Sequence, residues 1–434
     1  MEQTTIALII VAIVIVLFAT EILPAATTAM LSSMAMAVVG VISYKEAFAG
    51  FSNPVVIFVI GFAAIGNAMA ETGAAQFIGK AVMKKYKGGE KGFLILILAC
   101  TGIFSMFMSN TATIVLFMSI ATAMELGSNG KVTRKNTFMG MGIATVAGGA
   151  CTLIGSTTQL AVQSLLVEAH LPAMKMFSLM FPGIFVFAAL LLYYYFIGYN
   201  LQKKVFEKGV ADESTIQCRS KIASAEIDTD VVPNPKNIKM WIPLIVMVVC
   251  IILTIVGVNM AMVAMVGAFA CVITGCITQK KMLQSTDWNT IFIIVGSIGF
   301  AAGVEKSGAG ELIAKTVINM VGTDVNPFFI FAAIVLVGTI MTNFMANIST
   351  AMILLPISIR IAEQLGMNAF PLVIGIIWAA DLPFSTPIGA SPITMTMTAG
   401  YRFTDYTKVG GPFNVIAYIL VVILTPIFYP LIGK

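Results

Sequence analysis

Long apolar runs separated by short polar connections dominate the chain. Many of these runs reach the roughly 17–25 residues that an α-helix needs to cross a bilayer, and none alternates like a membrane β-strand. The pattern predicts a polytopic all-α membrane protein. Uninterrupted crossings are expected near Thr5–Thr20, Ala25–Ile42, Pro54–Ala70, Met176–Tyr199, Trp241–Val258, Ala261–Ile277, Thr290–Val304 and Pro412–Leu431, and interrupted ones near Thr137–Val162 and Phe370–Met397.

Two further apolar stretches are each interrupted by a cluster of uncharged polar residues. Phe93–Leu126 contains FMSNTATI at Phe107–Ile114, and Phe328–Leu365 contains the related FMANISTA at Phe344–Ala351. Their length and central polar cluster predict two re-entrant helical hairpins, at residues 93–126 and 328–365, that enter and leave the membrane by the same face.

Each predicted hairpin is followed by a helix that glycine, proline and hydroxyl residues interrupt. The first, at residues 137–162, is interrupted by AGGACTLIGSTTQL, and the second, at residues 370–397, is interrupted by DLPFSTPIGASPIT. Glycine and proline loosen or break a helix, and broken backbone at membrane depth is tolerated only where protein or a water-filled cavity surrounds it. The four interruptions predict one site between the hairpin tips, near the middle of the membrane.

The two halves of the chain repeat this order of elements. AETGAAQFIGK at Ala70–Lys80 also matches EKSGAGELIAK at Glu305–Lys315. Because each half has five crossings, an odd number, the halves must run in opposite directions, so the sequence predicts an inverted repeat. Residues 1–200 form the first repeat, 201–239 a polar cytoplasmic linker and 240–434 the second repeat.

Composition and charge agree with this topology. The chain is 59% hydrophobic and 10% charged, with a mean hydropathy of +0.97. With an outside N-terminus and re-entrant hairpins, 19 of the 25 Lys and Arg residues fall on the cytoplasmic side, as the positive-inside rule requires. Both termini are then outside, and the net charge of +5 reflects topology rather than nucleic-acid binding. The first apolar run lacks a preceding basic region, so we expect a retained helix rather than a signal peptide.

Residues that commonly carry enzymatic chemistry are scarce. The single histidine, His170, lies in a polar connection, and the six cysteines are scattered without a CxxC pair. These features argue against a metalloprotease, a haem protein or a Cys/His hydrolase. The sequence therefore predicts that the protein is not an enzyme.

The predicted hairpin tips have the chemistry to hold an anion beside a small cation. A helix start exposes N–H groups that attract anions, and a helix end exposes carbonyl oxygens that can coordinate a cation. Ser, Thr and Asn add neutral donors and acceptors. Hydroxyl residues in membrane helices also bond their own backbone or assist packing, so a single cluster is a weak signal. Four clusters at matching repeat positions favour a binding site.

An ordered set of motifs along essentially the whole chain resembles the divalent anion/sodium symporter family, carriers of dicarboxylates, citrate and sulfate in the ion-transporter superfamily. The motifs include FATEILPAATTA, GFSNPVVI, MSNTAT, TLIGSTTQL, TNFMANISTAMILLPI, FSTPIGA and GYRFTDYTKVGGP. The resemblance implies a homodimer in the cell membrane, in which a transport domain slides like an elevator against a fixed scaffold. It also implies two or more coupling Na⁺ ions.

The resemblance further implies which residues bind the ions and the anion. Sodium would be held in the first half by Ser105, Ser109, Asn110 and the Gly155 carbonyl, and in the second half by Thr342, Asn347 and the backbone of Met345 and Ser385. The anion would contact Asn110, Thr111, Thr157, Asn347 and Thr386.

Three residues stand out against this pattern. Ala346 and Ile348 replace the usual Ser and Thr of the second tip, which predicts a lopsided site suited to a small anion or a diacid gripped at one end. Asp381 is a carboxylate within a crossing, and its run contains no basic residue. We expect it near the second cation site, where it would strengthen sodium binding or let a proton substitute. A carboxylate near a water-filled mouth is the alternative.

The sequence thus predicts sodium-coupled symport of a small divalent anion, a dicarboxylate or sulfate. A sodium-independent dicarboxylate exchanger, and a sodium/proton or arsenite-type ion carrier, are alternatives with the same architecture. An anion channel does not account for paired hairpins, and a membrane enzyme lacks a catalytic constellation.

Overall fold

Apolar helices make up most of the structure. The computed structural model describes residues 3–20, 22–74, 77, 88–127, 132–168, 171–207, 238–284, 286–312 and 326–432. Within these ranges the chain forms helices and connecting turns, and no strand. The all-α class predicted from the apolar pattern is confirmed.

The helices follow the order of the predicted crossings. They are α1 (Gln3–Thr20), α2 (Ala25–Val38), α3 (Tyr44–Ala47), α4 (Pro54–Glu71), α5 (Glu90–Ser105), α6 (Asn110–Gly127), α7 (Phe138–Gly149), α8 (Thr157–Glu168), α9 (Met180–Tyr193), α10 (Tyr199–Glu207), α11 (Ile238–Ile255), α12 (Met260–Ile273), α13 (Gln279–Gln284), α14 (Trp288–Lys306), α15 (Pro327–Thr342), α16 (Asn347–Gln364), α17 (Ala369–Ala380), α18 (Ser391–Met395) and α19 (Phe403–Phe428). Among the described residues, five continuous helices are long and apolar enough to cross a membrane, namely Pro54–Glu71, Met180–Phe206, Ile238–Ile255, Trp288–Lys306 and Phe403–Phe428. Shorter apolar helices occupy most of the other expected crossings.

Helix ends recur at a spacing of 235 residues. Gly40 and Gly275 follow α2 and α12 with left-handed φ angles of 78° and 69°, and Gly73 and Gly308 follow α4 and α14 with 77° and 70°. Side chains are strained in this backbone region, so glycine there favours the end of a helix. The crossings predicted at Ala25–Ile42 and Ala261–Ile277 are therefore about one turn longer than the helices.

The helix that closes the first half is longer than the sequence indicated. A π-helical turn, Tyr194–Gly198, joins α9 to α10, and the helix continues to Glu207, inside the predicted linker 201–239. The rest of that linker, residues 208–237, lies outside the described residues, as do 75, 76 and 78–80 of the first matched segment and 313–315 of the second.

Each polar interruption in the predicted hairpins separates two helices that contact each other. The break is 106–109 between α5 and α6, and 343–346 between α15 and α16. At the far end of the first pair, Glu90 Oε1 at the start of α5 accepts hydrogen bonds from Thr133 N at 2.9 Å and Asn136 Nδ2 at 3.1 Å. Glu125 near the end of α6 pairs with Arg134 at 2.7 Å. Helices α5 and α6 therefore form a hairpin, with both outer ends held by the segment before α7.

The helices pack in two groups. In the scaffold group, α2 packs along α14, α4 along α12, α1 on α2 and α11 on α12. In the inner group, α5 packs on α7, α15 on α17 and α9 on α19. The pair α5–α6 therefore lies against α7, and the pair α15–α16 lies against α17. Every residue of α7 is buried, and so is every residue of α17 after its first two, which is expected of helices that are apolar all round. Helix α8 contacts α4 and α14 of the scaffold group and α16 of the inner group.

Ion pairs join helix ends that the charge pattern assigns to the same side of the membrane. Lys281 pairs with Glu71 at 2.5 Å among the ends assigned to the cytoplasm. Lys306 pairs with Glu46, and Arg360 with Glu305 at 3.1 Å, among the ends assigned to the outside. Hydrogen bonds from Lys306 and from the Ser43 backbone lower the pKa of Glu46 to about 2, so this carboxylate stays charged at neutral pH.

Candidate functional site: two oxygen clusters at the hairpin tips

The first tip brings together side-chain and backbone oxygens from three helices. Ser105 ends α5 and Asn110 begins α6, and the Ser105 hydroxyl donates to Asn110 Oδ1 at 2.5 Å. Gly149 and Gly155 flank the break between α7 and α8. A Cβ at Gly149 would lie 2.2 Å from Asn110 Oδ1, and a Cβ at Gly155 would lie 2.7 Å from the Ser105 carbonyl oxygen. Only glycine allows this close approach, so these four residues form what we call the first-tip cluster.

The second tip is built in the same way. The Thr342 hydroxyl, at the end of α15, donates to Asn347 Oδ1 at 2.9 Å and also contacts the Ala380 carbonyl oxygen at the end of α17. Gly389 lies so close that a Cβ there would be 2.1 Å from the Thr342 carbonyl oxygen, and its own carbonyl accepts from Asn347 N at 3.4 Å. Thr342, Asn347, Ala380 and Gly389 form the second-tip cluster. Each tip thus combines a hydroxyl, an Asn carbonyl oxygen and a close-packed glycine.

A chain of hydrogen bonds joins the two clusters. Gln159, on α8, lies with its Nε2 3.5 Å from the Gly149 carbonyl oxygen of the first tip and 2.8 Å from Asp381 Oδ2. Asp381 Oδ1 accepts from Asn347 Nδ2 of the second tip at 2.9 Å. The tips therefore share one polar centre, as expected for a single site between them.

Asp381 lies at the middle of this centre. It is fully buried at the end of α17, and the Ser156 hydroxyl approaches its Oδ1 at 3.5 Å. Within the described ranges no Lys or Arg pairs with it. Asp381 accepts a hydrogen bond from Asn347, which the sequence assigned to the second cation site, and it is buried. Its role at that site stays a prediction.

The other predicted sodium ligands lie around the clusters rather than in them. Ser109 is exposed, and its hydroxyl accepts from Ala112 N at 3.3 Å as the cap of α6. Met345 is buried, and its side chain belongs to an apolar cluster that also contains Val14 and Phe18 of α1. The Ser385 amide donates to Asn343 Oδ1 at 3.0 Å, and its hydroxyl accepts from Asn414 Nδ2 at 2.9 Å.

The predicted anion contacts lie at helix starts and in the segment between α17 and α18. Asn110 and Asn347 are half-buried, Thr111 is exposed in the first turn of α6, and Thr157 is half-buried at the start of α8. Thr386 is buried, and its hydroxyl donates to the Asn343 carbonyl oxygen. Four of the five side chains therefore remain at least partly exposed, whereas the buried Thr386 hydroxyl ties the segment between α17 and α18 to Asn343.

Several residues at the centre were not assigned by the sequence. Gly149, Gly389 and the Ala380 carbonyl complete the two clusters, Gln159 links them, and Asn343 holds Ser385 and Thr386. Gly149 and Gly389 lie inside the recognised interruptions, but nothing in their local sequence indicates which carbonyl they approach. Asn343 lies in the recognised motif TNFMANISTAMILLPI, four residues before Asn347, and this position was the available signal.

The arrangement can hold both signs of charge. Each cluster presents neutral oxygens, which suit a weakly bound hard cation, and no group of three or more His, Cys, Asp or Glu residues in the described ranges forms a transition-metal site. Helices α6, α8 and α16 begin at or beside this centre, and their N-termini carry partial positive charge that favours an anion.

An all-helical fold with several membrane-spanning helices and two polar helix breaks that meet at one buried centre is the arrangement expected of a multi-pass membrane transporter. A model of the citrate transporter family matches residues 15–259 and 248–432, nearly the whole chain. The chain belongs to this family, and the transporter class of the ion-transporter superfamily that the motifs indicated is confirmed.

Relatives in several organisms carry transporter names. An uncharacterised transporter of Haemophilus influenzae is 24% identical over 97% of this chain and 91% of its own length. The transporter YfbS of Escherichia coli, also uncharacterised, is 28% identical over 37% of this chain, and the match spans only 27% of YfbS. The sodium-dependent high-affinity dicarboxylate transporter 3 of Caenorhabditis elegans is 28% identical over 34% of this chain and 26% of its own length.

One solved structure shares the fold. MtrF of Neisseria gonorrhoeae, from a class of antimetabolite efflux pumps, superimposes with a TM-score of 0.55 and 14% sequence identity, over 88% of this chain and 82% of MtrF.

Proposed function

We propose that this protein is a secondary active transporter that couples the uptake of a small divalent anion, a dicarboxylate or sulfate, to sodium ions. The observation that carries the proposal is the pair of alike oxygen clusters joined through Gln159 and Asp381. Two clusters without a basic residue would hold cations, and the helix starts at Asn110 and Asn347 would hold the anion. The sodium-dependent dicarboxylate transporter among the relatives supports the choice of ion.

Electrostatics provides the reason for coupling. A dianion alone is unfavourable in a buried site, and sodium ions in the neighbouring clusters neutralise it. The loaded and empty carriers can then change conformation, whereas a carrier holding the anion alone cannot. Ser105, Asn110, Thr342 and Asn347 would be the side chains that contact sodium, with the Gly155 carbonyl in the first cluster.

The movement we propose is an elevator in which the inner group slides along the scaffold group. A cavity of about 120 Å³ separates parts of the two groups and is lined by apolar residues of α1, α14 and α16 such as Phe18, Phe300 and Ile353. A largely apolar boundary suits sliding, because few polar contacts have to break, and the pair between Arg360 and Glu305 in the same lining is one that would. Equivalent helices of the two halves make equivalent contacts. Helix α2 packs on α14 as α12 packs on α4, and α5 packs on α7 as α15 packs on α17. This correspondence supports the inverted repeat that the movement uses.

Uptake into proteoliposomes tests the proposal. Labelled succinate and labelled sulfate are each offered with an inward sodium gradient or with choline in place of sodium. We expect sodium to stimulate uptake of at least one of the two anions at least tenfold. Uptake that is equal in choline and depends on internal counter-substrate would instead identify a sodium-independent exchanger.

Variants of the two asparagines localise the activity. Asn110→Ala and Asn347→Ala each remove an oxygen from one cluster, so each should raise the sodium concentration for half-maximal uptake at least fivefold. Asn368→Ala is the matched control, because the Asn368 side chain caps α17 through Phe370 N at 3.0 Å and donates to the Pro430 carbonyl oxygen at 3.3 Å. Equal sodium dependence in all three variants contradicts the assignment.

A further inference from the structure

The cavity between the scaffold group and the inner group is large enough to hold a small molecule. Its volume is about 120 Å³, and most of its wall consists of apolar side chains, with α1 and α14 of the scaffold group and α16 of the inner group among the helices that contribute them. An apolar cavity of about 150 Å³ holds a benzene molecule, so a volume close to this suits one small ring or a short alkyl chain.

A serine hydroxyl in the wall of this cavity is available to a ligand. Ser297, in the middle of α14, lines the cavity and is only 5% exposed. Its hydroxyl makes no hydrogen bond with the described residues, whereas the hydroxyl of Ser32 in the same wall donates to the Ala29 carbonyl oxygen at 2.7 Å. Buried hydroxyls normally have a partner, so the Ser297 hydroxyl can bond a polar atom of a molecule in the cavity.

One end of the cavity carries a net negative charge. Among the described lining residues three are charged, namely Glu305, Arg360 and Glu363. Arg360 pairs with Glu305 Oε1 at 3.1 Å and with Glu363 Oε2 at 2.8 Å, so one positive charge is shared by two carboxylates. All three side chains are partly exposed, which makes this end of the cavity accessible. The lining is therefore left with one negative charge that no lining residue compensates.

We propose that this cavity is a binding site for a small amphiphilic amine, whose ammonium group lies at Glu305 and Glu363 and whose ring or short chain lies between the two groups of helices. Charge complementarity selects the head group, because an ammonium neutralises the remaining negative charge and a carboxylate would add to it. Phe18 and Phe300 in the wall can pack on an aromatic ring. The site shares no residue with the first-tip or second-tip cluster, so it lies beyond the transport site.

An amine in this cavity would hold the inner group against the scaffold group. The ligand contacts walls that belong to both groups, so it binds the conformation in which those walls face each other and shifts the population towards it. The amine should therefore inhibit uptake, and excess anion should not relieve the inhibition. This consequence rests on the proposed function, whereas the binding of the amine does not.

Direct binding to the purified protein in lipid nanodiscs tests the site. Tritiated 2-phenylethylamine should bind saturably, and 2-phenylethanol, which has a similar shape but no charge, should compete at least tenfold more weakly than unlabelled amine. Glu305→Gln should weaken binding of the amine at least fivefold. Glu46→Gln is the matched control, because Glu46 also pairs with a lysine at an end assigned to the outside but does not line the cavity.

A second variant tests the cavity independently of its charge. Ala301→Leu places a larger side chain in the wall and keeps both carboxylates, so it should weaken binding of the amine at least tenfold. Ala302→Leu is its control, because Ala302 is the next residue of α14 and packs in another cluster outside the lining. Equal competition by 2-phenylethanol, or wild-type affinity in both Glu305→Gln and Ala301→Leu, overturns the site.

Uptake into proteoliposomes tests the consequence for movement. In vesicles with sodium-dependent uptake, 2-phenylethylamine should lower the maximal rate at least fivefold at saturating anion, and Ala301→Leu should remove this inhibition. Undiminished uptake at saturating amine contradicts the inhibition. If the wild-type protein shows no sodium-dependent uptake, the proposed function is refuted, and the binding measurement still decides whether the amine site exists.

Discussion

At the scale of single residues, the two tip asparagines do more than start a helix. Asn110 and Asn347 each receive a hydrogen bond from the hydroxyl that ends the preceding helix, Ser105 or Thr342. This bond crosses the break and fixes the Asn carbonyl oxygen beside the end of the preceding helix. The motif in the sequence identified both asparagines, because an uncharged polar cluster within an apolar run is conspicuous.

The caps of the two tips differ by one hydroxyl, which gives a prediction about stability. Ser109 caps α6 through Ala112 N, whereas Ala346 occupies the same place before α16 with a cap-compatible backbone, φ −61° and ψ 142°, and no side-chain cap. Ala346→Ser should add a bond to the third residue of α16 and stabilise its first turn by about 1 kcal/mol. Amide hydrogen exchange there should slow about fivefold.

The reciprocal change in the first tip is the matched control. Ser109→Ala should accelerate exchange in the first turn of α6 by a similar factor, measured without sodium so that ion binding does not contribute. If Ala346→Ser leaves exchange at the start of α16 unchanged, the absence of a cap does not limit the stability of that turn.

At the scale of elements, the interruptions were predicted within a few residues and the pairing of elements was not. Glycine, proline and polar residues mark a break locally, so 106–109 and 343–346 could be placed from sequence. That α8 lies between α14 and α16 follows from how apolar surfaces fit together. Apolar faces of similar composition do not identify their partners.

An ion pair links the second hairpin region to the scaffold and yields a prediction about conformational preference. Arg360 on α16 pairs with Glu305 on α14 at 3.1 Å and with Glu363 on its own helix at 2.8 Å. Because the pair is partly exposed, its loss should cost at most about 1 kcal/mol, or a fivefold shift between conformations. Arg360→Ala should reduce the fraction in the conformation described, measured by cross-linking across the boundary.

A double-mutant cycle separates the pair from its surroundings. Glu305→Ala should shift the fraction as Arg360→Ala does, and the double variant should add little to either. Additive effects of the two single changes would mean that the pair does not bias the conformation.

At the scale of the whole molecule, the proposed sliding movement can be blocked at one contact. Met345, between α15 and α16, and Phe18 of α1 belong to one apolar cluster, which joins the inner group to the scaffold group. Cysteines at both positions should be cross-linked by a short bifunctional reagent, and uptake should fall at least tenfold. A reducible reagent should allow recovery on reduction, and each single variant supplies the control. Undiminished uptake by the cross-linked protein is incompatible with sliding at this boundary.

Assembly is the second prediction at this scale. Helices α11 and α12 expose apolar side chains away from the rest of the chain, including Ile245, Ile252, Met262 and Phe269. The resemblance implies a homodimer, and we expect the dimer to cover part of that face. Light scattering of the detergent-solubilised protein should give a polypeptide mass of two 46.2 kDa chains. A single-chain mass at transport-competent concentrations contradicts the dimer.

The sequence alone determined the helical membrane class, the places where helices break and the transporter family. These properties follow from hydrophobicity, helix-breaking residues and motifs that are local in the chain. Only the tertiary structure decided that Gln159 and Asn347 meet at Asp381, and that Gly149 and Gly389 bring carbonyl oxygens to the tips. Gln159 and Asp381 are 222 residues apart, and contacts over such separations depend on how whole helices pack rather than on any local pattern.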